Sequence, residues 1–141
     1  MHRTRRRLAL RSAVALGGLI GLASCQQLGD AVITGTLEAP ELQARAGGIW
    51  KRSLPCLNEA TITQGAATMW RITSQGGECV EARRLRYGTV PEGFIQEAQA
   101  KPLQPDIAYD LSVRGWTAQA PNVPFQARGS FSFQDGRWTK T

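Results

Sequence analysis

Strict alternation of apolar and polar side chains in two segments most constrains the fold of this 141-residue chain. In residues 107–113 the apolar positions are Ile107, Tyr109, Leu111 and Val113, and in residues 125–133 they are Phe125, Ala127, Phe131 and Phe133. Successive side chains of a strand point to opposite faces, so both segments are predicted to be half-buried strands. The polar positions expected to face solvent are Asp110, Ser112, Arg114, Gln126, Arg128, Ser130 and Ser132.

Shorter runs with β character extend this interpretation to the rest of the chain. Candidate strands lie at residues 31–37, 61–64, 68–73, 80–87 and 94–98, although residues 92–101 are also compatible with one or two helical turns. Asp135-Gly136 predicts a tight turn after which Trp138 folds back. The length and the 42% apolar content suit one domain, and the pattern predicts an all-β fold.

A motif between residues 103 and 113 narrows the expected architecture. Leu103-Gln-Pro105-Asp-Ile-Ala-Tyr109-Asp-Leu-Ser-Val113 resembles the fibronectin type III pattern Leu-x-Pro-x-x-x-Tyr-x-(aliphatic)-x-Val. The resemblance implies a small immunoglobulin-like β-sandwich in which the Tyr109 hydroxyl bonds to the chain just upstream and Leu103 packs against Tyr109. It further implies that Trp70 is a core residue and that residues 125–133 are the final strand. A chance match in some other β fold is the alternative.

The N-terminal segment has the pattern of an export signal. Four of its first seven residues are arginines, and residues 12–22 form an apolar stretch of eleven residues. A membrane-spanning helix needs about 20 residues, so this stretch is too short to cross a bilayer. A charged start, a short apolar segment and small residues at its end are typical of a signal peptide.

The end of this segment, Leu22-Ala23-Ser24-Cys25, resembles the lipobox of bacterial lipoproteins. The resemblance implies cleavage before Cys25, attachment of lipid to its thiol and, with Gln26 next, the periplasmic face of the outer membrane. We therefore divide the chain into a signal peptide (residues 1–24), a lipidated tether (residues 25–30) and one β-sandwich domain (residues 31–141). An ordinary leader with a coincidental cysteine is the alternative. The run Thr4-Arg5-Arg6-Arg7-Leu8 also leaves twin-arginine export open beside general secretion.

The net charge of +6 does not indicate nucleic-acid binding. Five of the 17 basic residues lie in the first eleven positions, whereas all 11 acidic residues follow position 29. The segment after Cys25 is thus nearly neutral. Nucleic-acid binding needs a concentrated positive face, so we expect no nucleic-acid partner.

Catalytic residues are sparse in the mature segment. The single histidine is His2, which excludes imidazole metal sites and histidine-based triads after cleavage. No serine has a nucleophile-elbow context, and no glycine pair has the lysine of a phosphate loop. We therefore expect no enzyme, metal or cofactor. The acidic pairs Glu78 with Glu81 and Glu92 with Glu97 keep a small envelope enzyme acting on glycan open as the alternative.

Cys56 and Cys79 remain once Cys25 is assigned to lipidation. An even pair in an exported chain favours a disulfide. A metal pair or a reactive thiol is the alternative, although neither cysteine lies in a Cys-x-x-Cys motif.

Tryptophans and arginines supply the candidate binding residues, which are Trp50, Arg52, Arg84, Arg86 and Trp116. Both residue types are enriched at interface hot spots. In the alternative interpretation Trp50 belongs to the core and the arginines form a solvated face. We expect a lipid-anchored, non-catalytic binding or accessory module with an envelope protein or glycan as partner. An inhibitor or immunity-type lipoprotein is one form of it.

Overall fold

Ten β-strands and one short 3-10 turn, at Gln75–Gly77, organise the part of the chain described by this computed structural model. The structure describes residues 27–46, 55–77, 80–81, 84–117 and 120–141. The strands are β1 (Gln27–Gly35), β2 (Pro40–Ala46), β3 (Pro55–Gln64), β4 (Ala67–Ser74), β5 (Val80–Glu81), β6 (Leu85–Arg86), β7 (Phe94–Ala98), β8 (Ala108–Thr117), β9 (Ala120–Gln134) and β10 (Arg137–Lys140). The predicted all-β fold is confirmed, and residues 94–98 form a strand rather than a helical turn.

All ten strands belong to one curled sheet with the order β6-β2-β1-β9-β8-β3-β4-β7. The long strand β9 lies in the middle of this order and pairs with three other strands. It pairs with β8 on one side, while β1 (parallel) and β10 (antiparallel) follow one another along its other side. β5 extends the sheet beside the first residues of β3. The immunoglobulin-like sandwich is not confirmed, because hydrogen bonding runs through one sheet instead of dividing the strands between two.

The inner face of the curled sheet carries the hydrophobic core. In β8 burial alternates as the sequence predicts, with Tyr109, Leu111 and Val113 each 1% exposed. Trp70 of β4 is fully buried, which confirms its expected core position. Fully burying an aliphatic side chain such as that of Leu111 or Val113 stabilises a fold by about 1.5–3 kcal/mol.

Burial in β9 departs from the prediction at two polar positions, Gln126 and Ser132. Gln126 is 8% exposed where β1 pairs beside it. Ser132 lies on the polar face as expected, yet it is only 2% exposed. β10 explains the difference, because Thr139 pairs with Ser132 and the Thr139 hydroxyl donates a hydrogen bond to the Ser132 carbonyl oxygen (3.2 Å). The predicted turn at Asp135-Gly136 is confirmed: both residues have positive φ angles (50° and 75°), and Trp138 lies in the returning strand.

The local contact implied for Tyr109 is present. The Gln104 amide N–H donates to the Tyr109 hydroxyl oxygen at 2.9 Å, five residues upstream, and the Tyr109 ring is buried. Leu103 packs at the margin of the core. The tyrosine therefore anchors the chain that enters β8, within a sheet different from the one that the resemblance implied.

A second tyrosine joins opposite ends of the sheet. Tyr87 directly follows β6 at one end, and its hydroxyl lies 3.1 Å from the Met69 carbonyl oxygen on β4, near the other end. The same hydroxyl lies 2.7 Å from the Lys101 carbonyl oxygen, and the Tyr87 ring contacts Trp70 edge to face at 5.4 Å. The sheet thus curls far enough for one side chain to bridge its two ends.

The first strand begins earlier than the expected domain boundary. β1 starts at Gln27, so four of the residues assigned to the tether belong to the sheet. They pair in parallel with residues 125–128 of β9, and Gly29 packs where a Cβ atom would lie 2.6 Å from the Phe125 ring. Pairing with two neighbours, β9 and β2, favours a strand here despite weak local β character.

Candidate functional site

The structure does not bring the described candidate binding residues together. Arg84 and Arg86 are exposed near strand β6 at one end of the sheet, and Arg84 pairs with Glu41 at 3.5 Å. Trp116 is half-buried in β8, and three strands separate β6 from β8 in the sheet. Trp50 and Arg52 lie outside the described residues. Of this candidate set, Trp116 lines a surface depression.

The cysteines are described only in part, because Cys25 and Cys79 lie outside the described residues. Cys56 is 8% exposed in β3, opposite Glu81 of β5, and the next pair is Leu57 with Val80. Cys79 directly precedes Val80 in the sequence. Because Cys79 lies outside the described residues, its disulfide with Cys56 stays a prediction.

The outer, polar face of β3, β8 and β9 contains two adjoining open depressions of about 580 Å³ each. Both are lined by Glu59 and Arg114, so they form one surface feature, which we call the outer groove. Strand register builds it, because Glu59 of β3 pairs with Arg114 of β8, which in turn pairs with Gln126 of β9. Further along, Ser112 lies between Thr61 and Arg128.

The carboxylates of the outer groove already have partners within the protein. Glu59 lies 3.5 Å from the Arg71 guanidinium and accepts a hydrogen bond from the Thr61 hydroxyl at 3.2 Å. Asp110 accepts a hydrogen bond from the Ser130 hydroxyl. These bonds hold the acidic side chains in fixed positions along the groove.

Arg114 is the exposed cation at the centre of the outer groove. Within the described part of the chain it has no carboxylate within 4.0 Å. Glu59, its cross-strand neighbour, is engaged by Arg71 instead. Arginine presents a planar set of N–H donors that matches a carboxylate, so Arg114 supplies the groove with unused donor capacity.

One end of the outer groove is apolar. Trp116 lies opposite Pro124, and both residues line the depression. Asn58 lies between these residues and Glu59, at a β-bulge in β3, and its Oδ1 atom is buried without a hydrogen-bond partner among the residues that the structure describes. The groove therefore combines an aromatic end with an exposed cation that has no carboxylate partner in the described part of the chain.

Sequence reasoning missed most of this site. The alternation placed Ser112, Arg114 and Arg128 on the polar face, but it gave no reason to join them with Glu59 and Asn58. Those two residues lie more than fifty positions upstream of Arg114, and β3 meets β8 only through antiparallel pairing. The alternation of apolar and polar residues indicated which side chains of β8 and β9 face outward. It did not indicate that β8 pairs with β3.

The acidic pairs considered for catalysis are only partly described. Glu97 lies 3.1 Å from Arg71 and accepts a hydrogen bond from the Thr73 hydroxyl at 3.0 Å, while Glu92 is exposed. Glu78 and the Glu81 side chain lie outside the described residues. Among the residues that the structure covers, no group of three histidine, cysteine, aspartate or glutamate side chains lies close enough to hold a metal ion.

Searches for relatives do not add to this geometry. No protein-family model, curated protein or solved structure matches the chain. Within the described ranges, no helix is long and apolar enough to span a membrane. The functional interpretation therefore rests on the residues of this chain.

Proposed function

We propose that this chain is a lipid-anchored lipoprotein of the bacterial cell envelope that binds an envelope partner through the outer groove and catalyses no reaction. The observation that carries the proposal is the arrangement of the groove: Glu59 and Asp110 are engaged internally, whereas Arg114 is exposed and has no carboxylate partner among the described residues. Fixed acids beside an unused cation and an aromatic side chain suit recognition of a partner.

The lipobox resemblance supports the anchor. Each buried CH₂ group contributes about 0.8 kcal/mol to membrane binding, so several acyl chains on Cys25 would hold the protein durably. β1 begins only two residues after Cys25, which would keep the sheet close to the lipid. Gln26 favours the periplasmic face of the outer membrane as the address, and an inhibitor or immunity role fits the same geometry.

The register of β1 also relates the anchor to the groove. Leu28 pairs with Gln126, which lines the apolar half of the outer groove, and the Leu28 side chain is 71% exposed. A lipid on Cys25 would therefore place the Trp116 end of the groove nearest the membrane. A partner held there would lie at the membrane surface.

Intact mass of the protein purified from membranes tests the anchor, with a Cys25→Ser variant as the control. We expect the wild-type chain to begin at Cys25 and to carry added acyl mass, and the variant to lose both that mass and the membrane association. An unlipidated, soluble mature wild-type protein would overturn the anchored form.

Site-specific photo-cross-linking in cells tests the binding face. A photoreactive residue replaces Ser112, within the outer groove, or Gln43, which lies on the polar face of β2 outside the groove. We expect a discrete adduct from position 112 and none from position 43. Equal labelling from both positions, or none from position 112, would contradict a binding role for the groove.

A further inference from the structure

The outer groove lies on the face of interior strands, and this limits what it can recognise. The backbone groups of β3, β8 and β9 are used in ladders with neighbouring strands on both sides. A peptide that binds by adding a strand needs an open sheet edge, which this surface does not provide. A ligand lying here meets side chains only, and it must carry its own hydrogen-bonding groups.

The unused groups of the groove define the chemistry of that ligand. Arg114 offers N–H donors to an anion, while the carboxylates beside it are already bonded. The Ser112 hydroxyl lines the same groove and can donate a hydrogen bond to, or accept one from, a hydroxyl group of the ligand. Trp116 and Pro124 offer apolar surface at one end. An anionic group, hydroxyl donors and an apolar ring face occur together in a carboxylate-bearing sugar.

Spacing along β8 shows that more than one sugar ring fits. Asp110, Ser112, Arg114 and Trp116 follow at every second residue on the same face. A strand rises about 3.3 Å per residue, so this row is about 20 Å long. A linear chain lying along β8 would meet carboxylate, hydroxyl, cationic and aromatic groups in succession, so a carboxylate of the ligand belongs beside Arg114 and not beside Asp110.

We propose that the outer groove binds a linear glycan that carries carboxylates, with Arg114 pairing with one carboxylate. This inference rests on the proposed function and names the class of its ligand. Arg114 is placed for a charge-assisted hydrogen bond, Ser112 for a hydroxyl group, and Trp116 for a ring face. Because the contact with Arg114 is ionic and exposed, binding weakens as salt concentration rises.

Calorimetric titration of the purified full mature protein, kept in detergent with its native N-terminus, tests the inference. The probes are oligogalacturonate, which has a carboxylate on each sugar, a neutral chito-oligosaccharide of the same length and a polyglutamate peptide. The test variant is Arg114→Gln. The control for loss of one positive charge is Arg137→Gln, which replaces an exposed arginine of β10 outside the groove. Circular dichroism checks that each variant is folded.

We expect oligogalacturonate to bind at least tenfold more tightly than either other probe, Arg114→Gln to lose at least tenfold in affinity, and Arg137→Gln to match the wild-type protein. Equal affinity for the neutral sugar or the acidic peptide would overturn the inference. An equal effect of the two arginine variants would overturn it as well. If position 112 still forms its cross-link in cells while oligogalacturonate does not bind, the glycan inference fails and the proposed binding function stands.

Discussion

Replacing Tyr87 with phenylalanine tests whether one hydroxyl holds the two ends of the curled sheet together. The Tyr87 hydroxyl lies 2.7 Å from the Lys101 carbonyl oxygen and 3.1 Å from the Met69 carbonyl oxygen. Phenylalanine keeps the ring that contacts Trp70 edge to face and removes only the oxygen. The substitution therefore isolates the polar link from the packing.

The expected loss of stability follows from the number of protons involved. A hydroxyl has one proton, so it donates one full hydrogen bond shared between two acceptors. A net hydrogen bond contributes about 0.5–1.5 kcal/mol, and a carbonyl left without a donor adds to the loss. Since Tyr87 is half-buried, water replaces part of the bond. We expect Tyr87→Phe to lower the free energy of unfolding by about 1–2 kcal/mol at neutral pH.

The same bond predicts a pH dependence. Burial raises the pKa of Tyr87 from 10.0 to about 12. Because the pKa is higher in the folded state, the contribution of Tyr87 is complete below pH 10 and is lost as the pH rises toward 12. The stability advantage of the wild-type protein over Tyr87→Phe should shrink across that interval.

Urea unfolding followed by tryptophan fluorescence, at neutral pH and at steps from pH 10 to pH 12, measures both effects. Tyrosinate absorbance provides a second readout, since the chain has two tyrosines and Tyr109→Phe leaves Tyr87 alone to titrate. Equal stability of the Tyr87→Phe variant at neutral pH would refute the link between the sheet ends. A stability difference between the wild-type protein and Tyr87→Phe that stays constant up to pH 12 would show that folding does not raise the pKa of Tyr87.

Three further predictions concern stability. Gly115→Ala should cost about 3 kcal/mol by urea unfolding, because its Cβ would lie 2.8 Å from the Cys56 carbonyl carbon on a paired strand. Gly129→Ala should cost less, because the nearest atoms to its Cβ belong to the Phe131 side chain and not to backbone, and the reverse order would contradict this reasoning. Intact mass without reductant should be two hydrogens lighter than with reductant, and reduction should destabilise the fold by roughly 3 kcal/mol, whereas two free thiols would exclude a disulfide of Cys56 with Cys79. Tyr109→Phe should cost about 1 kcal/mol at neutral pH through its bond to the Gln104 amide, and an unchanged midpoint would show that the bond contributes nothing.

Strands with a strong apolar alternation were predictable, and strands stabilised by their neighbours were not. Residues 107–113 and 125–133 carry large inward side chains, and both lie in the strands expected. β2 escaped prediction because its buried residues are a proline, a leucine and an alanine (Pro40, Leu42 and Ala44), and polar residues of low β propensity separate them. Pairing with β1 along seven residues makes Pro40–Ala46 a strand.

The residues of the outer groove were also predictable only in part. Arg114 and Ser112 were assignable to the polar face, because side-chain direction in a strand follows from position alone. Their contact with Glu59, and the engagement of Glu59 by Arg71, depend on which strands pair and in what register. Trp116, chosen for its residue type, lies at the groove, whereas Arg84 is distant from it and pairs with Glu41.

The sequence by itself determined the all-β class, the buried position of Tyr109 and the turn at Asp135-Gly136. Each of these depends on properties carried by a residue and its near neighbours. The tertiary structure alone decided that ten strands form one curled sheet, that Tyr87 bridges its ends, and that Asn58 and Arg114 share a groove. Strand pairing joins residues that are distant in the chain, and the free energy that selects the partner comes from burying the whole inner face at once.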